Sequence, residues 1–295
     1  MKNKTSALRS YLAAARIGAV VFGLSSFSGA YAAGNTVTVK GSDTMVILGQ
    51  RWAEDYMKKF KGIVIQVTGG GSGTGIAALT NGLTDIAQSS RPMKEKEKSV
   101  ILEKRKKHVE EIPVAVDGIA VYVHQSNPIE KLDISQLKAV YTGRVKKWSA
   151  LADFKEPLII YGRENNSGTY AYFKEHVLGN EDFAPEALSL PGTAAVINAV
   201  SKDKKAIGYG GIAYAHGVKV IKVASDAKSQ AYAPSLENVM SGKYPISRSL
   251  FFYTAGKSDG EVKKFIAWIL GKEGQKVCGE VGYYPLPVLR SKARK

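Results

Sequence analysis

The segment IVIQVTGGGSGTGIAAL (Ile63–Leu79) joins an apolar run to a glycine-rich turn and a short helical pattern. The run IVIQV predicts a β-strand, and IAAL predicts the start of a helix. Five glycines, with Ser72 and Thr74, fill the turn between them. Glycine lets another group approach the backbone closely, and the free N–H groups at a helix start attract anions. The turn therefore favours a ligand site, with an ordinary Ser/Thr helix cap as the simpler alternative.

Three better-known glycine-rich motifs do not fit this turn. A nucleotide P-loop needs a lysine and a Ser/Thr after its last glycine, but Ile76 and Ala77 follow here. The spacing does not suit a dinucleotide fingerprint. A nucleophile elbow needs glycine two positions before and after its serine, and Thr74 occupies the second of these positions. Simple anion binding at a helix N-terminus remains.

Two further turns have the same character. GSDT (Gly41–Thr44) follows the first predicted strand, and GRENNSGTY (Gly162–Tyr170) repeats the Ser-Gly-Thr pattern four residues after Arg163. In open α/β sheets the crevice lies beyond the carboxyl ends of the strands, where such turns converge. We therefore expect a socket for a small oxyanion, gripped between two lobes. A surface ion pair is the alternative for Arg163.

Strand and helix patterns alternate along most of the chain, which predicts an α/β fold with mostly parallel sheets flanked by helices. The predicted strands are 36–40, 63–67, 84–88, 158–161, 206–210 and 249–254. A β-rich run at 114–124 is expected to break at Asp117-Gly118, where the chain would cross between the lobes. The predicted helices are 45–60, 75–81, 93–107, 134–141, 167–178, 194–200 and 261–270. The expected arrangement is two lobes with a ligand cleft between them.

The first 32 residues predict a secretory signal peptide. Four basic residues precede an apolar stretch (17–27), and the small-residue pattern Ala30-Tyr31-Ala32 follows. The apolar stretch is shorter than the roughly 20 residues of a membrane span. Since no cysteine lies near the cleavage point, we expect an exported, periplasmic protein without a lipid anchor. The lobes are assigned to 33–117 plus 246–295 and to 118–245.

Charge and cysteine content set further limits. Removal of the signal segment leaves 38 basic and 26 acidic residues, a net charge of +12 that favours anionic ligands. Cys278 is the single cysteine, so no internal disulfide is possible and a buried thiol is expected. The four histidines show no metal-ligand spacing, and we expect neither a metal nor a cofactor.

Five segments together resemble one family. They are GGGSGTG, DIAQSSRPM (Asp85–Met93), LKAVYTGRVKKWSAL (Leu137–Leu151), RENNSGT (Arg163–Thr169) and AIGYGGIAYA (Ala206–Ala215). The chain resembles the periplasmic phosphate-binding proteins that supply the high-affinity phosphate ABC transporter of bacteria. The resemblance covers essentially the whole chain after the signal segment.

The resemblance implies a hinge-closing, two-lobed binding protein without catalysis. Its partners would be inorganic phosphate and the inner-membrane permease, with no nucleic acid, and it would act as a monomer. The phosphate-binding residues implied by the matched motifs and their neighbours are Ser42, Asp43, Thr44, Ser72, Ser90, Arg91, Arg163, Ser167, Gly168 and Thr169.

One position departs from the family pattern. Many members carry an aspartate that accepts the proton of phosphate, and here Ser90 stands in its place. Our hypothesis is that Asp43 supplies this acceptor and that Arg91 adds a second positive charge. A helix N-cap is the alternative role for Asp43.

Other functions remain open at this point. Because of Ser90, sulfate or another tetrahedral oxyanion is the main rival ligand. A different class is an exported hydrolase with Ser72 or Ser167 as nucleophile, although no histidine lies beside these motifs. A sensor or matrix component with the same fold is a third alternative.

Overall fold

The computed structural model describes residues 35–286 and has a mixed α/β architecture. The predicted signal segment (1–32) lies outside the described residues. The strands of the described residues are β1 (Thr36–Gly41), β2 (Val64–Thr68), β3 (Ile86–Ser89), β4 (Val109–Val123), β5 (Lys131–Asp133), β6 (Ile159–Arg163), β7 (Leu188–Leu190), β8 (Ala206–Gly211), β9 (Lys219–Ala224) and β10 (Ser247–Ala255). The helices are α1 (Val46–Lys59), α2 (Ser72–Thr80), α3 (Glu95–Arg105), α4 (Ile134–Tyr141), α5 (Gly168–His176), α6 (Gly192–Lys202), α7 (Leu236–Met240), α8 (Gly260–Leu270) and α9 (Lys272–Val281).

The strands form one curled, mixed sheet in the order β2-β1-β3-β10-β4-β8-β6-β7; β9 also pairs with β4, and β5 pairs with β9. Pairing is parallel among β1, β2 and β3 and among β6, β7 and β8. The joining strands β4 and β10 run antiparallel to their neighbours. The predicted two-lobed α/β class is confirmed. We call β1–β3, β10, α1–α3, α8 and α9 the first lobe, and β5–β9 with α4–α7 the second lobe.

Strand β4 corrects one prediction. The sequence predicted a break at Asp117-Gly118, but β4 runs without interruption from Val109 to Val123. What changes there is its partner: residues up to Gly118 pair with β10, and residues from Ile119 onward pair with β8. The backbone therefore passes from one lobe to the other inside a continuous strand. The assigned lobe boundaries themselves stay a prediction.

Each lobe has its own hydrophobic core. In the first lobe, α1 buries Leu48, Trp52 and Tyr56, which lie four residues apart on one helix face. Trp52 is fully buried, and its indole N–H donates to the Gly274 carbonyl (2.7 Å). The second lobe packs Tyr141, Phe173 and other buried side chains between β4, β8 and α5. Truncation of such a residue costs about 3–5 kcal/mol, so each lobe is held mainly by its core.

The sequence missed five elements: β5, β7, β9, α7 and α9. Two of these strands have three residues, and α7 has five, which is too short for a periodic pattern to show. Within residues 35–286 no helix is both long and apolar enough to cross a membrane.

Cys278 provides the first test of this core. It is fully buried in α9, and burial raises the pKa of its thiol to about 12. We expect the native protein to resist thiol-specific labelling at pH 8, because neither access nor thiolate is available. Labelling followed by mass spectrometry, with a urea-unfolded sample as control, measures this. Rapid modification of the folded protein would contradict the assigned burial.

Candidate functional site

The glycine-rich turn is approached closely by two other backbone segments. An added Cβ at Gly75 would overlap the Lys40 carbonyl oxygen of β1, and one at Gly71 would lie 2.7 Å from the Asn166 carbonyl oxygen of the second lobe. Gly71 also has a φ of 90°, which L side chains avoid. Asn166 bonds to this turn from both its backbone and its side chain, to Gly73 N–H (2.9 Å) and Gly70 carbonyl (3.0 Å). The glycines thus allow two other backbone segments to pack closely against the start of α2.

Three serine hydroxyls of the first lobe meet in a buried cluster. Ser42 follows β1, Ser72 begins α2 and Ser90 follows β3, so each stands at the carboxyl end of a strand or the turn after it. Ser42 Oγ lies 2.9 Å from Ser90 Oγ, and Ser72 Oγ lies 3.4 Å from it. The backbone N–H of Ser90 donates to Ser72 Oγ (3.1 Å). All three residues are at most 1% exposed, as the predicted convergence of these turns requires.

The first turn of α5 in the second lobe lies against these serines. Ser167 is its N-cap, and its Oγ accepts from the N–H groups of Thr169 (3.2 Å) and Tyr170 (3.3 Å). An added Cβ at Gly168 would overlap Ser72 Oγ and lie 2.7 Å from Ser90 Oγ. Only a glycine permits this approach, which brings the positive end of α5 onto the serine cluster.

Thr44 and Thr169 join the two lobes through their side chains. Their hydroxyl oxygens lie 2.8 Å apart, and both residues are at most 1% exposed. Either hydroxyl can donate, so the pair keeps one hydrogen for another acceptor. The contacts described so far bring together seven of the ten predicted site residues: Ser42, Thr44, Ser72, Ser90, Ser167, Gly168 and Thr169.

Asp43 and Arg163 form an ion pair between the lobes. Arg163 Nη2 donates to Asp43 Oδ2 (2.7 Å), and Arg163 Nη1 donates to Thr193 Oγ1 (2.8 Å). The other Asp43 oxygen accepts from the Gly70 N–H (2.7 Å), in a different turn of the chain. The guanidinium is 1% exposed, and its Nε has no partner within the described residues. Neither alternative reading fits these contacts: Asp43 does not cap the helix that follows it, and Arg163 is not a surface ion-pair residue.

Arg91 does not join the cluster. Its guanidinium makes a bidentate ion pair with Glu97 of α3 (2.8 and 2.7 Å) and donates to the Pro92 carbonyl. Burial acts to raise the pKa of Glu97, but the hydrogen bonds from Arg91 and from the Lys94 N–H outweigh it and hold that pKa below its usual value. The structure thus gives Arg91 a partner other than the predicted anion.

Four residues beside the cluster were missing from the predicted set. Asn166 contacts the glycine-rich turn, and Thr193 accepts a hydrogen bond from Arg163. Asp117 and Arg248 form a fully buried ion pair (2.9 Å) next to Thr169. Asn166 stands inside the RENNSGT motif, and Thr193 follows Gly192 at the start of α6, which is a third Gly-Thr helix start after those of α2 and α5. Asp117 was noted only for the predicted strand break at Asp117-Gly118, and Arg248 lies inside a strand without a motif. Burial raises the pKa of the Asp117 carboxyl, and Arg248 opposes that shift.

The assembled site consists mainly of hydrogen-bond donors from both lobes, which we call the cage: the hydroxyls of Ser42, Thr44, Ser72, Ser90 and Thr169, the start of α5 and the Arg163 guanidinium. Hydroxyls, helix-start N–H groups and a guanidinium converge, and no group of acidic, histidine or cysteine side chains within residues 35–286 is arranged to hold a metal ion. A cavity of about 430 Å³ borders Arg163, Asn166 and Tyr170 on the second-lobe side. Such donors suit an oxyanion rather than a cation or an apolar ligand.

Comparison with known proteins gives a consistent picture. Residues 28–273 match the family model described as a PBP superfamily domain. The phosphate-binding protein PstS of Pseudomonas aeruginosa is 34% identical over 292 residues, which cover 93% of this chain and 90% of that protein.

Two solved structures are similar as well. A putative phosphate ABC transporter substrate-binding protein from Clostridium perfringens, with bound phosphate, has a TM-score of 0.77 at 28% identity and covers 86% of this chain and 100% of its own. An ABC-type phosphate transport receptor from Vibrio cholerae has a TM-score of 0.68 at 27% identity, with coverage of 85% and 100%. This chain therefore belongs to the PBP superfamily and, within it, to the family of phosphate-binding proteins of ABC transporters.

Proposed function

We propose that this protein binds inorganic phosphate between its two lobes and delivers it to an ABC importer. The observation that carries the proposal is the contact of the α5 N-terminus with Ser72 and Ser90, beside the interlobe pair of Asp43 and Arg163. The cage offers hydroxyl and N–H donors from both lobes, so a bound anion would hold them together. Export to the periplasm, action as a monomer and docking on an inner-membrane permease are parts of this proposal.

Binding requires an exchange of hydrogen bonds inside the cluster. The hydroxyls of Ser42 and Ser72 both bond to that of Ser90, and rotation about the C–O bonds redirects the hydrogens to an anion at little cost. Each hydrogen bond to a charged group contributes about 1.5–3 kcal/mol. Seven or eight of them exceed the roughly 8 kcal/mol of micromolar binding, and the excess offsets the cost of dehydrating phosphate and closing the hinge.

A hydrolase role has little support in these contacts. The Ser72 hydroxyl has Ser90 as its partner, and Ser167 Oγ accepts from its own helix. Among the described hydrogen bonds of His124 and His176, none reaches either serine. A serine nucleophile needs a base within hydrogen-bond reach, so we propose binding without catalysis.

The direct test is calorimetric titration with phosphate, sulfate and arsenate at two pH values. We expect phosphate to bind with submicromolar affinity and sulfate to bind far more weakly, because Asp43 provides an acceptor only a protonated anion can use. Tighter binding of sulfate than of phosphate would replace the proposed ligand with the rival one.

Arg163→Ala tests the guanidinium. We expect phosphate affinity to fall by about 100-fold or more, because a buried charge-assisted partner is lost. Arg144→Ala, at an exposed arginine that pairs with Glu181, is the matched control and should leave affinity unchanged. Calorimetry measures both, and circular dichroism checks folding. A loss below fivefold for Arg163→Ala would count against the whole site.

Asp43→Asn tests selectivity. We expect the preference for phosphate over sulfate to fall by about tenfold or more, because the amide nitrogen replaces an acceptor with a donor. Competition of sulfate against labelled phosphate, in the variant and in the wild-type protein, gives the ratio directly. An unchanged ratio would leave Asp43 with only its structural bonds to Gly70 and Arg163.

Arg91→Met separates the ion pair with Glu97 from ligand binding. We expect phosphate affinity to stay within about twofold and the free energy of unfolding at pH 7 to fall by about 1 kcal/mol. Since the folded pKa of Glu97 is lowered, this contribution is present above its unfolded pKa of roughly 4.3 and disappears as the pH falls below that. Urea unfolding at pH 7 and pH 3 measures the difference. A tenfold loss of phosphate affinity would return Arg91 to the site.

A further inference from the structure

Arg248 lies where the chain passes between the lobes. In the sheet it pairs directly with Asp117, next to the point where the pairing partner of β4 changes from β10 to β8. Its Nε and Nη2 both donate to Asp117 Oδ2 (3.2 and 2.9 Å), and both side chains are at most 1% exposed. Asp117 Oδ1 accepts from the Ile212 N–H (3.2 Å), so the carboxylate is fixed from two sides.

Helix α5 contacts the same guanidinium at two positions. Arg248 Nη2 donates to Thr169 Oγ1 (2.9 Å), and the guanidinium lies over the Tyr172 ring, 5.6 Å from its centroid. The Tyr172 hydroxyl donates to the Ser247 carbonyl (2.6 Å), which anchors the helix to β10 next to Arg248. Thr169 and Tyr172 thus attach α5 to β10 close to where the chain passes between the lobes.

The hydrogen bond from Arg248 determines which hydroxyl hydrogens of Thr44 and Thr169 are available to a ligand. A guanidinium can only donate, so Thr169 Oγ1 must act as acceptor in this bond and keeps its hydrogen. That hydrogen goes either to Thr44 Oγ1, 2.8 Å away, or to a ligand. In both cases one O–H of the pair is left to donate to an anion, and its donor strength rises through the chain of bonds from the charged group.

We propose that Arg248 is a positioning residue for phosphate, which acts through Thr169 and Thr44 and not through direct contact with the anion. This inference rests on the proposed function. The pair with Asp117 is neutral as a unit, so Arg248 adds little net attraction for an anion. Its role is to fix the place and the donor direction of two hydroxyls, one in each lobe.

The experiment is a double-mutant cycle on phosphate binding. Arg248→Met alone would leave the buried Asp117 carboxylate unpaired and can prevent folding, so Asp117→Asn is combined with it. The set comprises D117N/R248M, Thr169→Val, all three changes together, and Arg51→Met as a control at an exposed arginine paired with Asp55. Titration with inorganic phosphate gives the affinities, and thermal unfolding gives the stabilities.

We expect D117N/R248M to weaken phosphate binding by about tenfold or more in the presence of Thr169, and by less than about threefold once Thr169 is valine. The single variant Arg248→Lys, which keeps Asp117, should bind phosphate more tightly than D117N/R248M, because an ammonium group can still donate to Thr169 Oγ1. The control should bind as the wild-type protein does. Melting temperatures alone would not show this dependence on Thr169.

Three results would overturn the inference. An affinity of D117N/R248M within twofold of wild type would make the pair a purely structural element. Losses that add fully across the cycle would mean that Arg248 acts on the anion independently of Thr169. A wild-type protein that does not bind phosphate would end the proposed function and this inference with it, whereas the first two results leave phosphate binding intact.

Discussion

The absence of a side chain at Gly168 allows the first turn of α5 to reach the serines of the other lobe. Ser167, Gly168 and Thr169 are consecutive at that helix start, so the position of one fixes the other two. When Gly168 lies against Ser72 and Ser90, Thr169 is directed to Thr44, and Ser167 caps the helix whose positive end faces the cluster. A single added methyl group would separate these groups, because it would overlap Ser72 Oγ. Interlobe contact and donor placement therefore depend on the same close approach.

The charges of the site are arranged in neutral pairs. Asp43 pairs with Arg163 between the lobes, and Asp117 pairs with Arg248 at the strand crossing. Burial of an unpaired charge would cost several kcal/mol, which explains why each arginine has a carboxylate partner. The net charge of +12 expected after removal of the signal segment therefore does not come from the cage. It can speed the encounter with an anion, but recognition depends on the hydrogen-bond donors of the closed site.

Much of this architecture could be predicted from the sequence, and the exceptions have physical reasons. Strand and helix periodicity predicted the α/β class, and the Ser-Gly-Thr starts predicted which turns converge. Asp117 and Arg248 were missed as site residues because Asp117-Gly118 indicated only a break in a strand, and Arg248 lies within a strand without any turn motif. Arg91 was placed at the anion from the family resemblance, which did not show that Glu97 of α3 would lie within reach of its guanidinium and pair with it.

The nature of residue 90 bears on selectivity. The family resemblance implies an aspartate there in many members, while Ser90 is the hydroxyl that Ser42 and Ser72 share. A hydroxyl can donate to any tetrahedral oxyanion, so Ser90 cannot distinguish protonated phosphate from sulfate. In the proposed function the acceptor that does so is the Asp43 carboxylate, which Gly70 and Arg163 hold in place. Because Gly70 belongs to the first lobe and Arg163 to the second, this carboxylate is held by one partner from each lobe. Closure and discrimination between the two anions would then depend on one ion pair.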